Sequence, residues 1–326
     1  MQIMSGRHLK QLFRAHREGD DLAFRRVAQE IIAEEEAKHH LQLARELRGL
    51  LASGGTTVGD WVPLPSPPRD ADSNFDLMTI TTPKRLLTSV VLPSETQRRV
   101  RGLLTEVEHW PDLDRHGVPR RQRILLYGPP GCGKSTTAAA IAAELGYPLA
   151  TVQLDAVVSS LLGETASNLR RAFDFAQANP VVLLLDEFDV FGRERGDPND
   201  HGELRRIVNA VLQLMAAFQG PSLIIAATNH AEDLDPAAWR RFDEVLMLPP
   251  PDAKQVEAVL RRTLGETVGA RVDLAARART LVGLPHAAAE SVGWEAKRLA
   301  VLNGRRTVTA RQLDDAIAVA TTRRWT

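Results

Sequence analysis

A glycine-rich stretch, residues 128–135, carries the residue types that chemistry on phosphate requires. It reads Gly-Pro-Pro-Gly-Cys-Gly-Lys-Ser and matches the pattern G-x-x-x-x-G-K-[ST]. Glycines let backbone amides turn towards phosphate oxygens, and the N-terminal end of a following helix attracts the same charge. Lys134 can neutralise β- and γ-phosphate oxygens, and Ser135 can offer its hydroxyl to Mg²⁺. The predicted nucleotide contacts in this stretch are Gly128, Pro129, Pro130, Gly131, Cys132, Gly133, Lys134, Ser135 and Thr136.

Two acids, Asp186 and Glu187, directly follow the apolar run Val181–Leu185. A buried parallel strand of this kind ends at the carboxyl edge of its sheet, where ligands of such sheets bind. Asp186 can hold the hydration shell of Mg²⁺, and Glu187 can polarise a water molecule for attack on the γ-phosphate. Solvated acids after a strand are common, so this assignment depends on the phosphate-binding loop.

Asn229 and the adjacent pair Arg240 and Arg241 are the other candidates for catalysis. Asn229 follows an apolar run and can orient the attacking water, although an asparagine there is usually a turn residue. Arginine stabilises charge on phosphate oxygens through its planar donors, and the phosphate-binding loop supplies only Lys134. Isolated surface arginines would ordinarily be read as solvated residues. Here the need for a second cation favours a catalytic role.

Short apolar runs alternate with helical patterns from residue 85 to residue 250, which predicts a parallel sheet covered on both faces. After Pro249–Pro251 the patterns are helical throughout, and they predict an all-helical lid over residues 251–326. Ser94 with Gln97, and Thr309 with Gln312, are candidate capping boxes. The predicted strands are Ile124–Tyr127, Leu149–Leu154, Val181–Leu185, Leu223–Ala227 and Val245–Leu248.

Two further segments precede this α/β core. Residues 1–52 show apolar residues at helical spacing, interrupted at Gly19–Asp21, and predict a helical hairpin that binds a partner or another copy of the chain. Residues 53–84 begin with two glycines and continue with closely spaced prolines, which predicts an extended linker.

The composition excludes several classes of function. The 41 basic and 41 acidic residues balance, so we expect neither nucleic acid nor membrane as a partner. Cys132 is the only cysteine, which rules out an intramolecular disulfide. No apolar run approaches the roughly 20 residues that span a bilayer. We therefore expect a cytoplasmic protein.

From about residue 85 to residue 321 the chain resembles the AAA+ ATPases, and specifically their AAA subgroup. The resemblance implies a P-loop NTPase core with five parallel strands in the order 5-1-4-3-2, a C-terminal helical lid, and ATP with Mg²⁺ as ligands. It implies a Walker A role for Lys134 and Ser135, a Walker B role for Asp186 and Glu187, and a sensor-1 role for Asn229. It also implies that Arg240 and Arg241 are arginine fingers that reach a neighbouring subunit's ATP, and that the subunits form a hexamer. The lid residues implied to meet the nucleotide are Gly283, His286 and Ala287.

The chain departs from the family pattern at three functional positions. Many members carry Leu-Asp-Gly-Phe for communication between subunits, and residues 213–218 of this chain retain little of it beyond Phe218. The two finger arginines are adjacent, whereas the family often separates them by Pro-Gly, so either could be the acting residue. The resemblance also places a substrate-gripping pore loop at Leu161, Leu162 and Gly163, where threading members carry an aromatic residue. Leu161 stands at that aromatic position.

Two functions remain open at this point. The first is an ATP-driven ring that remodels or unfolds a protein substrate, since residues 1–52 resemble the leader of a bacterial AAA subgroup of which some members are paired with a subtilisin-like protease. The second is an ATP-gated scaffold that controls a partner protein without threading it, which the leucine at position 161 favours.

Overall fold

The computed structural model describes isolated residues between 8 and 32, and residues 64–70, 74–153, 162–188, 200–234 and 236–325. It divides the chain into two units, Met1–Pro63 and Leu64–Thr326. In the first unit the described residues are helical, and Val27, Ile31 and Ile32 are buried. For the other residues of the range 1–52, the helical hairpin stays a prediction.

The second unit contains one six-stranded sheet with the order β1-β3-β4-β5-β2-β6. Strands β2 to β6 are parallel to one another and have the strand order that the family resemblance implies. Their number and direction confirm the predicted P-loop NTPase sheet. The strands are β1 (Met78–Thr81), β2 (Arg123–Tyr127), β3 (Leu149–Val152), β4 (Val182–Leu185), β5 (Leu223–Thr228) and β6 (Glu244–Met247).

The structure corrects the end of the predicted linker over residues 53–84. Strand β1 lies inside that segment and pairs antiparallel with β3, from Met78 opposite Val152 to Thr81 opposite Leu149. Leu77 and Met78 are fully buried in the core, so this part of the segment belongs to the folded unit. The prediction missed it because four residues are too few to show an alternating pattern.

Helices cover both faces of the sheet, because successive side chains of each strand point to opposite sides. Leu125 and Leu183 pack with helices α4 and α5, whereas Ile124 and Val182 pack with α1, α2 and α3. The central strands are therefore apolar on both faces over most of their length, as in Val182–Leu185 of β4, which a sheet covered on both sides requires. The helices are α1 (Ser94–Glu108), α2 (Trp110–Arg115), α3 (Lys134–Leu145), α4 (Leu162–Ala178), α5 (Asp200–Ala217) and the short α6 (Pro236–Trp239).

Four helices after β6 form the lid around a third apolar cluster. Asp252 caps the first of them in a capping box with Gln255, and the box predicted for Thr309 and Gln312 caps the last. These helices bring the start of the third one to the phosphate-binding loop. They are α7 (Ala253–Leu264), α8 (Leu274–Thr280), α9 (His286–Leu302) and α10 (Ala310–Thr322).

Candidate active site

The phosphate-binding loop connects β2 to α3 at the carboxyl edge of the sheet. Two of its glycines are required by their surroundings. Gly128 has φ +145°, and a Cβ atom there would overlap the carbonyl oxygen of Leu248. Gly131 has φ +70°, and a Cβ would lie 3.1 Å from side-chain atoms of Pro285 and Ala287. Any larger residue would push the loop away from β6 or from the lid.

Lys134, the first residue of α3, has a largely buried ammonium group with oxygen partners. Its Nζ donates hydrogen bonds to the backbone oxygens of Gly128 at 2.7 Å and Pro129 at 3.0 Å. It also donates to Oδ1 of Asn229 at 2.6 Å. An ammonium can only donate, so Asn229 presents its oxygen here. Parallel pairing of β2 with β5 explains why these two distant residues meet, because Tyr127 lies opposite Thr228.

The Walker B acids lie at the end of β4, beside the same loop. The Ser135 hydroxyl donates to Oδ2 of Asp186 at 2.6 Å, and the backbone N–H of Glu187 donates to Oδ1 of Asp186 at 3.0 Å. Glu187 itself is exposed and has φ +52°, in the left-handed region. Such a conformation costs about 1–3 kcal/mol for a residue with a side chain, and it is concentrated at functional sites.

The lid closes the other side of the site. The backbone N–H of Ala287, in the first turn of α9, donates to the carbonyl oxygen of Gly131 at 3.1 Å. Between the lid and the loop lies a cleft of about 340 Å³. Its lining brings together the predicted residues Pro130, Gly131, Cys132, Gly133, Lys134, Ser135, Thr136, Asp186, Glu187, Asn229, His286 and Ala287.

Three predicted contacts do not line this cleft in the described part of the chain. Gly128 and Pro129 act through their carbonyl oxygens, which accept from Lys134. Gly283 is exposed, with φ +94°, in the turn between α8 and α9. It lies in the turn that leads into His286, and its contact with a nucleotide stays a prediction.

Cys132 lines the cleft, yet its side chain is only 1% exposed and packs in the core cluster of α1 and α3. Burial raises the pKa of the Cys132 thiol, and the nearby charge of Lys134 only partly opposes this. The residue therefore contributes its backbone to the loop, while its thiol is protonated at neutral pH.

His286 has both ring nitrogens buried, and neither makes a hydrogen bond with the described residues. Burial lowers the pKa of His286 and the positive charge of Arg262 lowers it further, which together outweigh the opposing effect of the nearby Val91 backbone. The ring is consequently neutral at pH 7 and is one donor and one acceptor on the lid side of the cleft.

The sequence analysis missed six other residues of the cleft, which come from the lid and from the segment before α1. Arg262, near the end of α7, donates to the backbone oxygen of Ser89 at 2.7 Å and lies 3.5 Å from a carboxylate oxygen of Glu290. A lone arginine on a helix has no local signature, so only the packing of α7 against α9 identifies it. The missed residues are Arg85, Val90, Val91, Val259, Arg262 and Glu290.

Arg240 and Arg241 lie on the turn between α6 and β6, and both are exposed. Neither side chain makes a hydrogen bond or ion pair with the described residues, and neither lines the cleft. The flanks of the turn are fixed to the core, because Trp239 packs edge to face on Tyr127 at 5.4 Å and Asp243 accepts from Arg123 at 2.8 Å. The turn is thus held at both flanks, and its two guanidinium groups have no partner among the residues that the structure describes.

The predicted pore loop is covered only in part. Leu161 lies outside the described residues, and Leu162 and Gly163 begin α4. Of the described helices, none combines the length and apolarity that crossing a membrane would take. Among the same residues, no group of three or more His, Cys, Asp or Glu side chains could hold a metal ion.

Comparison with known proteins agrees with this geometry. The family model for the ATPase family associated with various cellular activities (AAA) matches residues 124–250. The chain is 37% identical to y4kL of Sinorhizobium fredii, named as an uncharacterized AAA family ATPase, over 96% of this chain and 94% of that protein. It is 34% identical to the ATP-dependent zinc metalloprotease FtsH 3 of Sphaerobacter thermophilus, over 71% of this chain and 50% of that protein. It is 36% identical to FtsH 2 of Symbiobacterium thermophilum, over 67% of this chain and 39% of that protein. The chain thus spans half or less of the length of these two metalloproteases.

Proposed function

Because the chain belongs to the AAA family of ATPases and hydrolyses ATP, we propose that it works as a ring of identical subunits with ATP bound at the boundary between neighbours. The observation that carries this proposal is the turn at Arg240 and Arg241, whose guanidinium groups are exposed, lack partners among the described residues and do not line their own cleft. A cation at the γ-phosphate lowers the barrier to hydrolysis, and a neighbour can supply it. Six subunits is the ring size that the family resemblance favours.

In this proposal each residue of the cleft has a separate task. Lys134 exchanges its backbone and Asn229 partners for phosphate oxygens, and Asn229 is then available to orient water. Ser135 and Asp186 would hold Mg²⁺ together with phosphate oxygens, since Mg²⁺ takes hard oxygen ligands and usually one or two carboxylates. When bound, the ion neutralises charge on the phosphates.

Glu187 is the proposed base for the attacking water. Its carboxylate draws a proton from water as the oxygen attacks the γ-phosphorus, and the bond from that phosphorus to the β-phosphate oxygen breaks to release ADP and phosphate. The left-handed backbone of Glu187 turns its side chain away from the line of β4, and the carboxylate is exposed at the cleft. Arg240 or Arg241 of the neighbour stabilises the charge that develops on the γ-phosphate oxygens.

We propose further that the ring uses this cycle to remodel or unfold a protein partner, which residues 1–52 recruit. Leu161 gives a specific reason to keep a second candidate, an ATP-gated scaffold that holds a partner without threading it. A leucine offers less rigid contact area to an extended peptide than an aromatic ring does. Faster unfolding of a tethered substrate by Leu161→Tyr would support the remodelling function, and an unchanged rate would support the scaffold.

Glu187→Gln tests the shared-site proposal. The amide cannot accept the proton, so we expect hydrolysis to fall by about 100-fold or more, while ATP affinity is kept. ATP should then hold the variant in an assembled ring, which sedimentation velocity with and without ATP can measure. A variant that hydrolyses ATP at the wild-type rate, or that stays monomeric at saturating ATP, would contradict the proposal.

A further inference from the structure

We propose that the contact between Phe188 and Phe242 positions the catalytic carboxylate and couples it to the arginines that the same subunit presents to its neighbour. The part of this proposal that concerns the neighbouring subunit rests on the proposed function. Phe188 directly follows Glu187, and Phe242 directly follows Arg241. The two rings lie 6.0 Å apart at an interplanar angle of 84°. One buried contact therefore connects the residue next to Glu187 with the residue next to Arg241.

The first half of the argument concerns Glu187. In the described part of the chain, Glu187 and Asn74 are the two non-glycine residues with positive φ. Such a conformation persists only where the surroundings enforce it. On one side, Asp186 accepts the N–H of Glu187. On the other side, Phe188 is only 1% exposed and its ring packs against Phe242, which holds the residue after Glu187 in place. Loosening that ring therefore frees the backbone that aims the carboxylate.

The second half concerns the arginine turn. Trp239 on one flank packs against Tyr127, and Asp243 on the other flank accepts from Arg123, so both flanks are fixed to β2. Phe242, directly after Arg241, contacts Phe188 just beyond the end of β4. A shift of the β4 end is consequently delivered to the turn through Phe242, directly beside Arg241.

An aromatic pair suits this task better than two aliphatic side chains would. Phenylalanine has few side-chain torsions, and edge-to-face packing fixes the mutual orientation of two rings. Leucine fills much of the same space without a preferred orientation. Phe188→Leu and Phe242→Leu should therefore keep the fold while releasing the orientation of Glu187.

A second aromatic pair in the same core cluster provides the matched control. Phe173 and Phe218 are buried, with rings 6.3 Å apart at 76°. They connect α4 to the segment after α5 and are not next to a catalytic residue. Phe173→Leu and Phe218→Leu thus remove the same atoms from the same core, and their melting temperatures measure the purely structural cost.

The experiment compares the kcat, the KM and the equilibrium ATP affinity of these four variants and of the two double variants, at temperatures well below every melting point. We expect Phe188→Leu and Phe242→Leu to lower kcat by on the order of tenfold, with ATP affinity within about twofold of wild type because the phosphate-binding loop is untouched. The double variant should be no slower than the slower single variant, since one contact is lost in each. Equal losses of kcat in the control pair, or multiplicative losses in the Phe188→Leu/Phe242→Leu double variant, would overturn the proposal.

Mixed rings separate this inference from the proposed function. Subunits with Lys134→Ala can only donate arginines, and subunits with Arg240→Ala and Arg241→Ala can only use them. Adding Phe242→Leu to the donor subunits should lower the activity recovered in the mixture, because it loosens the turn beside Arg241. Unchanged recovery would overturn the coupling between sites. If activity is not recovered even with donors that carry Lys134→Ala alone, both the proposed function and the coupling to the neighbouring subunit are contradicted. The positioning of Glu187 is tested separately, by the rings in which every subunit carries the same phenylalanine substitution.

Discussion

At the scale of single residues, the site is held together by contacts between side chains that are far apart in the sequence. Lys134 meets Asn229, and Ser135 meets Asp186. The types and order of these residues predicted such meetings, because the loop and both polar residues follow parallel strands whose ends share one edge. The orientation of each side chain had no such signal. Neither the left-handed Glu187 nor the inward thiol of Cys132 could be predicted from residue types.

Cys132 gives a prediction at this scale. Its thiol is 1% exposed and its pKa is raised by burial, so both access and the thiolate fraction at neutral pH are reduced. We expect iodoacetamide at pH 7.5 to label Cys132 at least about tenfold more slowly than an exposed thiol, since each unit of pKa changes the thiolate fraction tenfold. Because the thiolate is the reactive form and the pKa of the thiol in the folded protein is raised, labelling should accelerate as the pH rises.

The rate is measured by mass spectrometry, and Ser94→Cys in a Cys132→Ala background supplies the exposed control. Labelling of both proteins at the same rate would show that the thiol is accessible, and protection by ATP would then place it beside the nucleotide.

At the scale of secondary-structure elements, long patterns were predictable and short ones were not. The five parallel strands and the four lid helices have clear apolar patterns, and the capping box at Thr309 gave the start of α10. The box predicted at Ser94 is wrong, because Pro93 is the N-cap residue of α1 and no side chain caps the helix. Strand β1 was missed because its stability comes from pairing with β3 and from burial, which no local pattern encodes.

The segment before the core is also fixed by a buried polar contact. Asp70 and Asn168 are both buried, and the Asn168 amide donates to the Asp70 carboxylate at 2.6 Å. Arg171 donates to the backbone oxygen of Arg69 at 3.0 Å. The folded unit therefore extends well in front of residue 85, and residues 64–70 and 74–81 are part of it.

Two truncations test this boundary. Removing residues 1–63 takes away the first unit only, and the residues that line the cleft begin at Arg85. We therefore expect kcat for ATP within about twofold of wild type. Removing residues 1–84 also deletes Leu77 and Met78, which are fully buried. Burial of two such side chains contributes about 3–6 kcal/mol, so this truncation should unfold at a clearly lower temperature.

Both measurements use ATPase assays and thermal melts of the purified proteins. Equal stability of the two truncations would mean that β1 adds nothing to the core, in contradiction to its pairing and burial.

At the scale of the whole molecule, the core and the lid form a nucleotide cleft that Arg240 and Arg241 of the same subunit do not line in the described part of the chain. The resemblance to the family predicted that Arg240 and Arg241 reach the ATP of a neighbouring subunit. It could not predict that both side chains are exposed on a turn whose flanks are fixed to β2, because that depends on the edge-to-face packing of Trp239 on Tyr127 and on the ion pair of Arg123 with Asp243. Exposure and bracing together are what make delivery to a neighbour physically reasonable.

The most direct test of this shared site is the ATPase activity of rings mixed from two inactive subunits. Lys134→Ala removes the main cation for the phosphates, and the double variant Arg240→Ala, Arg241→Ala removes the fingers, each costing on the order of 10³-fold or more in hydrolysis. Mixed rings, verified by differently tagged subunits, should regain activity well above either parent, because Lys134→Ala subunits supply arginines to intact loops. Rings that are demonstrably mixed and yet stay as inactive as their parents would contradict the account, since the arginines would then act within their own subunit.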